Sequence, residues 1–206
     1  MTLLFLKGFI AGLFCPFLSI SIALLVANLH IQGRPAIVRA GILGIITINI
    51  VFALIASFGL HLAMTSLKAD YRSFSIVGAI ILFFLALRFY KAHPLVYSLD
   101  FTAPVTCRKG YLFCLLFAAS FPMMIIEYAA IYACLGVHSG LPPLIFNSLI
   151  VLGTFLGMLI WWAIYLSILK RTPIFVPSKL IETCGRLSSL ILICFSLIGL
   201  IQIYFK

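Results

Sequence analysis

Apolar stretches of about 20 residues, the length a helix needs to cross a bilayer, recur from one end of the chain to the other with short links between them. That pattern leaves no room for a separate soluble domain. Mean hydropathy is +1.28 and 9% of residues are charged, against roughly 25% in soluble domains. The expected fold class is an all-α integral membrane protein with six transmembrane helices, over about 3–29, 40–66, 73–92, 111–136, 144–169 and 187–205. The first stretch lacks a charged start and runs past the apolar length of a signal peptide, so it reads as a retained span.

A net charge of +10 does not mark a nucleic-acid partner here, because Lys and Arg sit in the links rather than in a stripe or tail. The lipid bilayer is the expected partner. The links after spans one, three and five hold Arg34, Arg39, Arg88, Lys91, Arg108, Lys109, Lys170, Arg171, Lys179 and Arg186, ten in all. The opposite side holds four, Lys7, Lys68, Arg72 and Lys206. The positive-inside rule then puts both termini on the non-cytoplasmic side of a multi-pass inner (plasma) membrane protein. The uncharged link at 137–143, "VHSGLPP", is external, and the Pro-containing link at about 93–110 joins two halves across the cytoplasmic face.

The halves, about 3–92 and 111–206 within one membrane domain of 206 residues, look alike. "GLFCPFLSISIALL" in span one and "AASFPMMIIEYAAI" in span four each carry a proline followed five positions later by a polar residue, Ser21 or Glu127. Three spans per half require opposite insertion, so the expected plan is two inverted three-helix repeats.

Pro16 and Pro122 lack a backbone donor and clash with the carbonyl four residues earlier, that of Gly12 or Ala118, so each is expected to break or kink its helix. Such breaks are tolerated where they face protein or a wet cavity. Glu127 lies deep in span four, where a charged carboxylate costs a few kcal/mol, so it must face inward. Its expected stripe is Ser120, Met123, Met124, Ala130, Ile131 and Cys134, with Tyr128 one step round the helix. Candidate partners are Asn49, Thr47, Ser19, Ser21, Tyr165, Trp161 and Trp162. Glu127 either binds a proton or a cationic group, or is a structural acid bonded to another helix; Asn49 is read as making an interhelical hydrogen bond or as a polar group on the substrate pathway.

Gly8 and Gly12 in span one, and Gly153 and Gly157 in span five, are small-xxx-small pairs that predict close helix packing. Trp161 and Trp162 lie too deep for an interfacial belt and are read as packing or cavity lining, whereas His61 is read as interfacial. The six cysteines, Cys15, Cys107, Cys114, Cys134, Cys184 and Cys194, show no C-x-x-C pair and no metal spacing. No metal, cofactor or enzymatic site is expected: there is no phosphate loop and no nucleophile–base pair.

"GRPAIVRAGILG", "IASFGL", "IVGAIILFFLALR", "SFPMMIIEYAAIYACLG", "LGTFLGMLIWW" and "GRLSSLILI", in this order, resemble segments of the LysE-type amino-acid exporter family, as does the Pro-containing first span. The resemblance implies a six-helix inner-membrane exporter of amino acids or similar metabolites, with inverted repeats and proton coupling. Departures fall at functional places. Span one keeps only Pro16 where the family has a second proline and a glycine, Asn49 stands where an acidic residue is common, and Phe121-Pro122 replaces Asn-Pro. Glu127 stands where the family usually has a small or apolar residue.

The expected function is therefore a secondary transporter exporting a small polar metabolite, an amino acid or derivative, by alternating access. The alternatives are a non-transporting membrane subunit or scaffold, and a thiol-disulfide electron carrier built on Cys15-Pro16. Substrate identity and a homo-oligomeric state stay open.

Overall fold

A computed structural model describes residues 2–18, 20–31, 35–67, 71–91, 106–136, 143–171 and 178–204. They form α1 (Thr2–Leu18), α2 (Ile20–Ile31), α3 (Pro35–Leu67), α4 (Tyr71–Lys91), α5 (Cys107–Ala119), α6 (Met123–Cys134), α7 (Pro143–Arg171) and α8 (Ser178–Tyr204). There is no strand among the described residues. Pro35–Ala63 and Leu144–Arg171 are long and apolar enough to cross a membrane. The pair α5 and α6, bent by 68° at a short break, makes a third span if counted as one; Thr2–Pro16, Ser75–Leu87 and Ser189–Ile201 are apolar but shorter. The fold is thus an all-helical membrane protein with two or three candidate spans.

Outward faces agree with that medium. Leu43, Ile55, Phe84, Leu116, Ile126, Ile168 and Leu190 are all exposed, a density of large apolar side chains that water would penalise and lipid does not. Helices overrun the apolar stretches: α8 begins at Ser178 rather than near 187, and α3 at Pro35 rather than 40. Hydropathy marks only the part of a helix suited to lipid, while backbone hydrogen bonding continues into polar sequence. Span one divides into α1 and α2, and span four into α5 and α6.

Three pairs organise the bundle. Helices α1 and α7 run parallel, because a Cβ on Gly8 or Gly12 would overlap the backbone of Ile150 or Thr154, and one on Gly153 or Gly157 that of Phe5 or Phe9. Any side chain at these four positions separates the helices. Helices α3 and α5 also run parallel, with Gly110 against Ile37, Gly41 against Cys114 and Gly44 against the Tyr111 backbone. Helices α4 and α8 run antiparallel: Ser189 donates to the Ala86 carbonyl at 2.9 Å, and Ser196 to that of Ala79 at 2.9 Å. These hydroxyl bonds matter because lipid offers packed helices no hydrophobic driving force.

Ends meet consistently with these directions. His61 near the end of α3 lies 5.4 Å, ring to ring, from Phe146 near the start of α7. Residues His30, Pro35 and Arg39, from the end of α2 and the start of α3, share a cavity with Lys170 at the end of α7. Helix α6 packs on α1, α3, α4 and α8, which places it inside the bundle.

Candidate functional site: a buried carboxylate behind a helix break

The break before α6 is built locally. Ser120 caps α5 and donates its hydroxyl to the Phe117 carbonyl at 2.6 Å, while Phe121 N–H reaches the Ala118 carbonyl at 3.2 Å. The chain then turns, with Met124 and Ile125 N–H bonded to the carbonyls of Phe121 and Pro122. Pro122 occupies the N-cap of α6, where an absent donor leaves no helical bond unmade. The Ala118 carbonyl, expected to be freed, is therefore satisfied by a tighter turn.

The same turn corrects the expected stripe. Ser120 belongs to the end of α5, is exposed, and does not share a helix with Glu127. Pro16 differs from Pro122 as well: it lies inside α1, which continues to Leu18, so α1 is not interrupted at the proline. Ser19 and the side chain of Ser21 lie outside the described residues.

Glu127 is 4% exposed, and its Oε2 has no hydrogen-bond partner among the described residues. An unpaired polar oxygen in so dry a place is costly, and natural structures keep such atoms where something else binds them. The carboxyl group is close enough to the Cys15 thiol and the Tyr128 phenol to interact electrostatically with both. Tyr128 is fully buried, with its hydroxyl beside Cys15 and 3.9 Å from the Met158 sulfur. One turn on, Tyr132 donates to Thr154 Oγ1 at 2.9 Å, which leaves the threonine hydroxyl for the carbonyl of Ile150 at 2.9 Å or of Gly8 at 3.1 Å.

The sequence marks Cys15 only as the thiol beside Pro16 in the electron-carrier alternative, and it does not single out Tyr132, Thr154 or Met158. Tyr132 was within reach of that reading, since it repeats Tyr128 at i+4 on the face beside Glu127. Thr154 carries no such signal, because only the glycine contacts of α1 and α7 bring it to α6.

Of the other expected partners, Thr47 and Tyr165 are engaged elsewhere. Thr47 is exposed; it bonds the Leu43 carbonyl at 2.8 Å and accepts from Tyr111 at 3.1 Å, on the seam of α3 and α5. Tyr165 donates to the Ala23 carbonyl at 2.7 Å, and its ring packs against Trp161 and Trp162. Trp162 is buried and Trp161 partly so, in a cluster that ties α7 to α2. Asn49 is 1% exposed with Oδ1 unpartnered among the described residues, a second buried acceptor on α3. Asn147 accepts a hydrogen bond from Ser57, and its Nδ2 has no partner among the described residues.

Helix α6 is held at its far end too. Gly136 takes a positive φ of 64° that suits glycine, and Lys7 Nζ bonds its carbonyl at 2.6 Å, putting a cation at the negative end of the helix dipole. No group of three metal-ligating side chains occurs among the described residues. Cys15, Cys107, Cys114, Cys134 and Cys194 are free, and Cys114 and Cys134 pack against Gly41 and Gly199 in other seams.

Compared with known proteins, the chain matches no family model, no curated protein and no solved structure.

Proposed function

We propose that this chain is a secondary transporter that moves a small polar metabolite, an amino acid or derivative, outward across the plasma membrane, with Glu127 binding a proton or the substrate's cationic group. The observation that carries this reading is the buried, unpartnered Oε2 of Glu127 on a helix that begins at a broken turn. An intramembrane acid facing protein, next to a helix break, is the arrangement in which carriers bind ions and substrates.

The packing supports six crossings in two inverted repeats. With alternating spans, one and five must run parallel, two and four parallel, and three and six antiparallel, and α1 with α7, α3 with α5, and α4 with α8 do so. An inverted exchange of halves maps span one onto four and five onto two, so it turns the first glycine-lined pair into the second. Helix α6 touches both α1 and α3. Rocking the α1–α7 unit against the α3–α5 unit opens the Glu127 face to one side at a time. The ordered resemblance to LysE-type exporters supplies the substrate class, and the relocated carboxylate supplies the coupling group.

The test is a proteoliposome assay with an imposed pH gradient and a panel of labelled amino acids. Uptake of at least one compound above protein-free vesicles is expected, while silence across the panel removes the amino-acid assignment.

A further inference from the structure

At the end of the bundle away from Lys7, a cavity of about 220 Å³ opens between α2, α3 and α7, lined by His30, Pro35, Val38, Arg39, Leu166 and Lys170. Three basic side chains from three different helices converge there, and no acidic side chain lines it among the described residues. The chain spends this charge sparingly, since only 14 of 206 residues are Lys or Arg. The start of α3 at Pro35 adds the positive end of a 33-residue helix dipole. The remaining walls, Pro35, Val38 and Leu166, are apolar.

A second concavity lies along the neighbouring face of the same end of α7, lined by Ala163, Ile164, Ser167, Ile168 and Arg171. Ile164 and Ile168 are exposed there, so this groove is apolar along its length and basic at its tip. Consecutive residues of α7 serve the two, Lys170 lining the first and Arg171 the second.

We propose that this cavity binds the phosphate group of an anionic membrane phospholipid, with His30, Arg39 and Lys170 around the phosphate and an acyl chain along the Ile164–Ile168 groove. A free phosphate shares the headgroup chemistry but has no use for the groove, and the groove is what selects the lipid. Basic pockets between transmembrane helices on the cytoplasmic side hold anionic headgroups in this way. The excess of Lys and Arg in the links after spans one, three and five puts the cavity on that side. The site ties α2 and α3 to α7, hence the α3–α5 unit to the α1–α7 unit, so an occupied cavity restrains their relative motion. Lipid binding at the site does not depend on the transport reading, whereas the restraint on motion rests on it.

The test uses the full chain purified in neutral detergent, with short-chain phosphatidylglycerol, short-chain phosphatidylcholine or inorganic phosphate added at equal concentration. Variants are Arg39→Gln/Lys170→Gln and, as a control at the start of α5, Arg108→Gln/Lys109→Gln. Phosphatidylglycerol near saturation is expected to raise the unfolding temperature of wild type and control by about 5 °C, the shift one well-filled site gives a chain of this size. The cavity variant should show no shift, and native mass spectrometry should find one fewer retained phosphatidylglycerol on it than on the control. Exposed positions were chosen so that folding is not at issue. An equal shift with phosphatidylcholine, an equal shift in the cavity variant, or a full shift from inorganic phosphate alone overturns the proposal.

Discussion

Tyr132, Thr154 and Gly8 show how little room single residues have in this bundle. Thr154 lies beside α1 only because Gly12 has no Cβ, and from there its hydroxyl serves Tyr132 on α6. Replacing Gly12 or Gly157 by Leu drives a side chain into backbone rather than into a yielding neighbour, and overpacking of that kind costs about 1–3 kcal/mol or more. Detergent unfolding should register the loss, and a variant as stable as wild type would show that α1 and α7 do not meet there. Tyr132→Phe is expected to cost about 1 kcal/mol, and a double-mutant cycle with Thr154→Val should recover most of it as coupling. Glu127 was legible as an inward-facing acid from its lipid-depth position alone. Its surroundings were only partly so: Tyr128 follows from helix geometry, whereas Cys15 comes near the carboxylate, and Met158 and Thr154 near Tyr128 and Tyr132, through contacts between helices far apart in sequence.

Breaks and seams belong to the elements. Proline predicted an interruption at 122 for a sound steric reason, yet the turn itself is closed by Ser120 and Phe121, whose contribution depends on hydrogen bonds that no periodicity encodes. Pro16 lies inside α1, two residues before its end at Leu18, so the division of span one falls after the proline rather than at it. Pro122→Ala restores a donor and removes the ring clash, so α5 and α6 should straighten toward one helix. Spin labels at Leu112 and Ile126, both exposed, would then move from their bent separation toward the roughly 21 Å that 14 residues of straight helix span. An unchanged separation would assign the bend to packing around α6 instead. Element ends were less legible than element existence: α8 starts at Ser178 because a helix does not stop where lipid does.

For the whole molecule, the directions of three packed pairs carry more weight than any single hydropathy window. Parallel α1 with α7, parallel α3 with α5 and antiparallel α4 with α8 are the directions that the proposed six alternating crossings require, while among the described residues two helices meet the length and hydropathy of an unbroken span. Periodicity gave the number of apolar stretches, while which stretch packs on which is a tertiary property held by glycines and serines. The topology is open to direct labelling. In intact cells, a membrane-impermeant maleimide should modify a cysteine introduced at Ser139 in the uncharged link and should leave Cys107, exposed at the start of α5, unmodified until the membrane is opened. The reverse pattern would invert the orientation. Most directly at stake is whether the buried carboxylate couples a gradient to movement of a solute. The deciding measurement is pH-gradient-driven uptake of the best panel substrate into proteoliposomes by wild type, Glu127→Asp and Glu127→Gln at matched incorporation. Loss of at least tenfold in Glu127→Gln, about 1.4 kcal/mol or more in the step it serves, with partial activity in Glu127→Asp, is the expected result. Equal gradient-driven uptake by wild type and Glu127→Gln would contradict it.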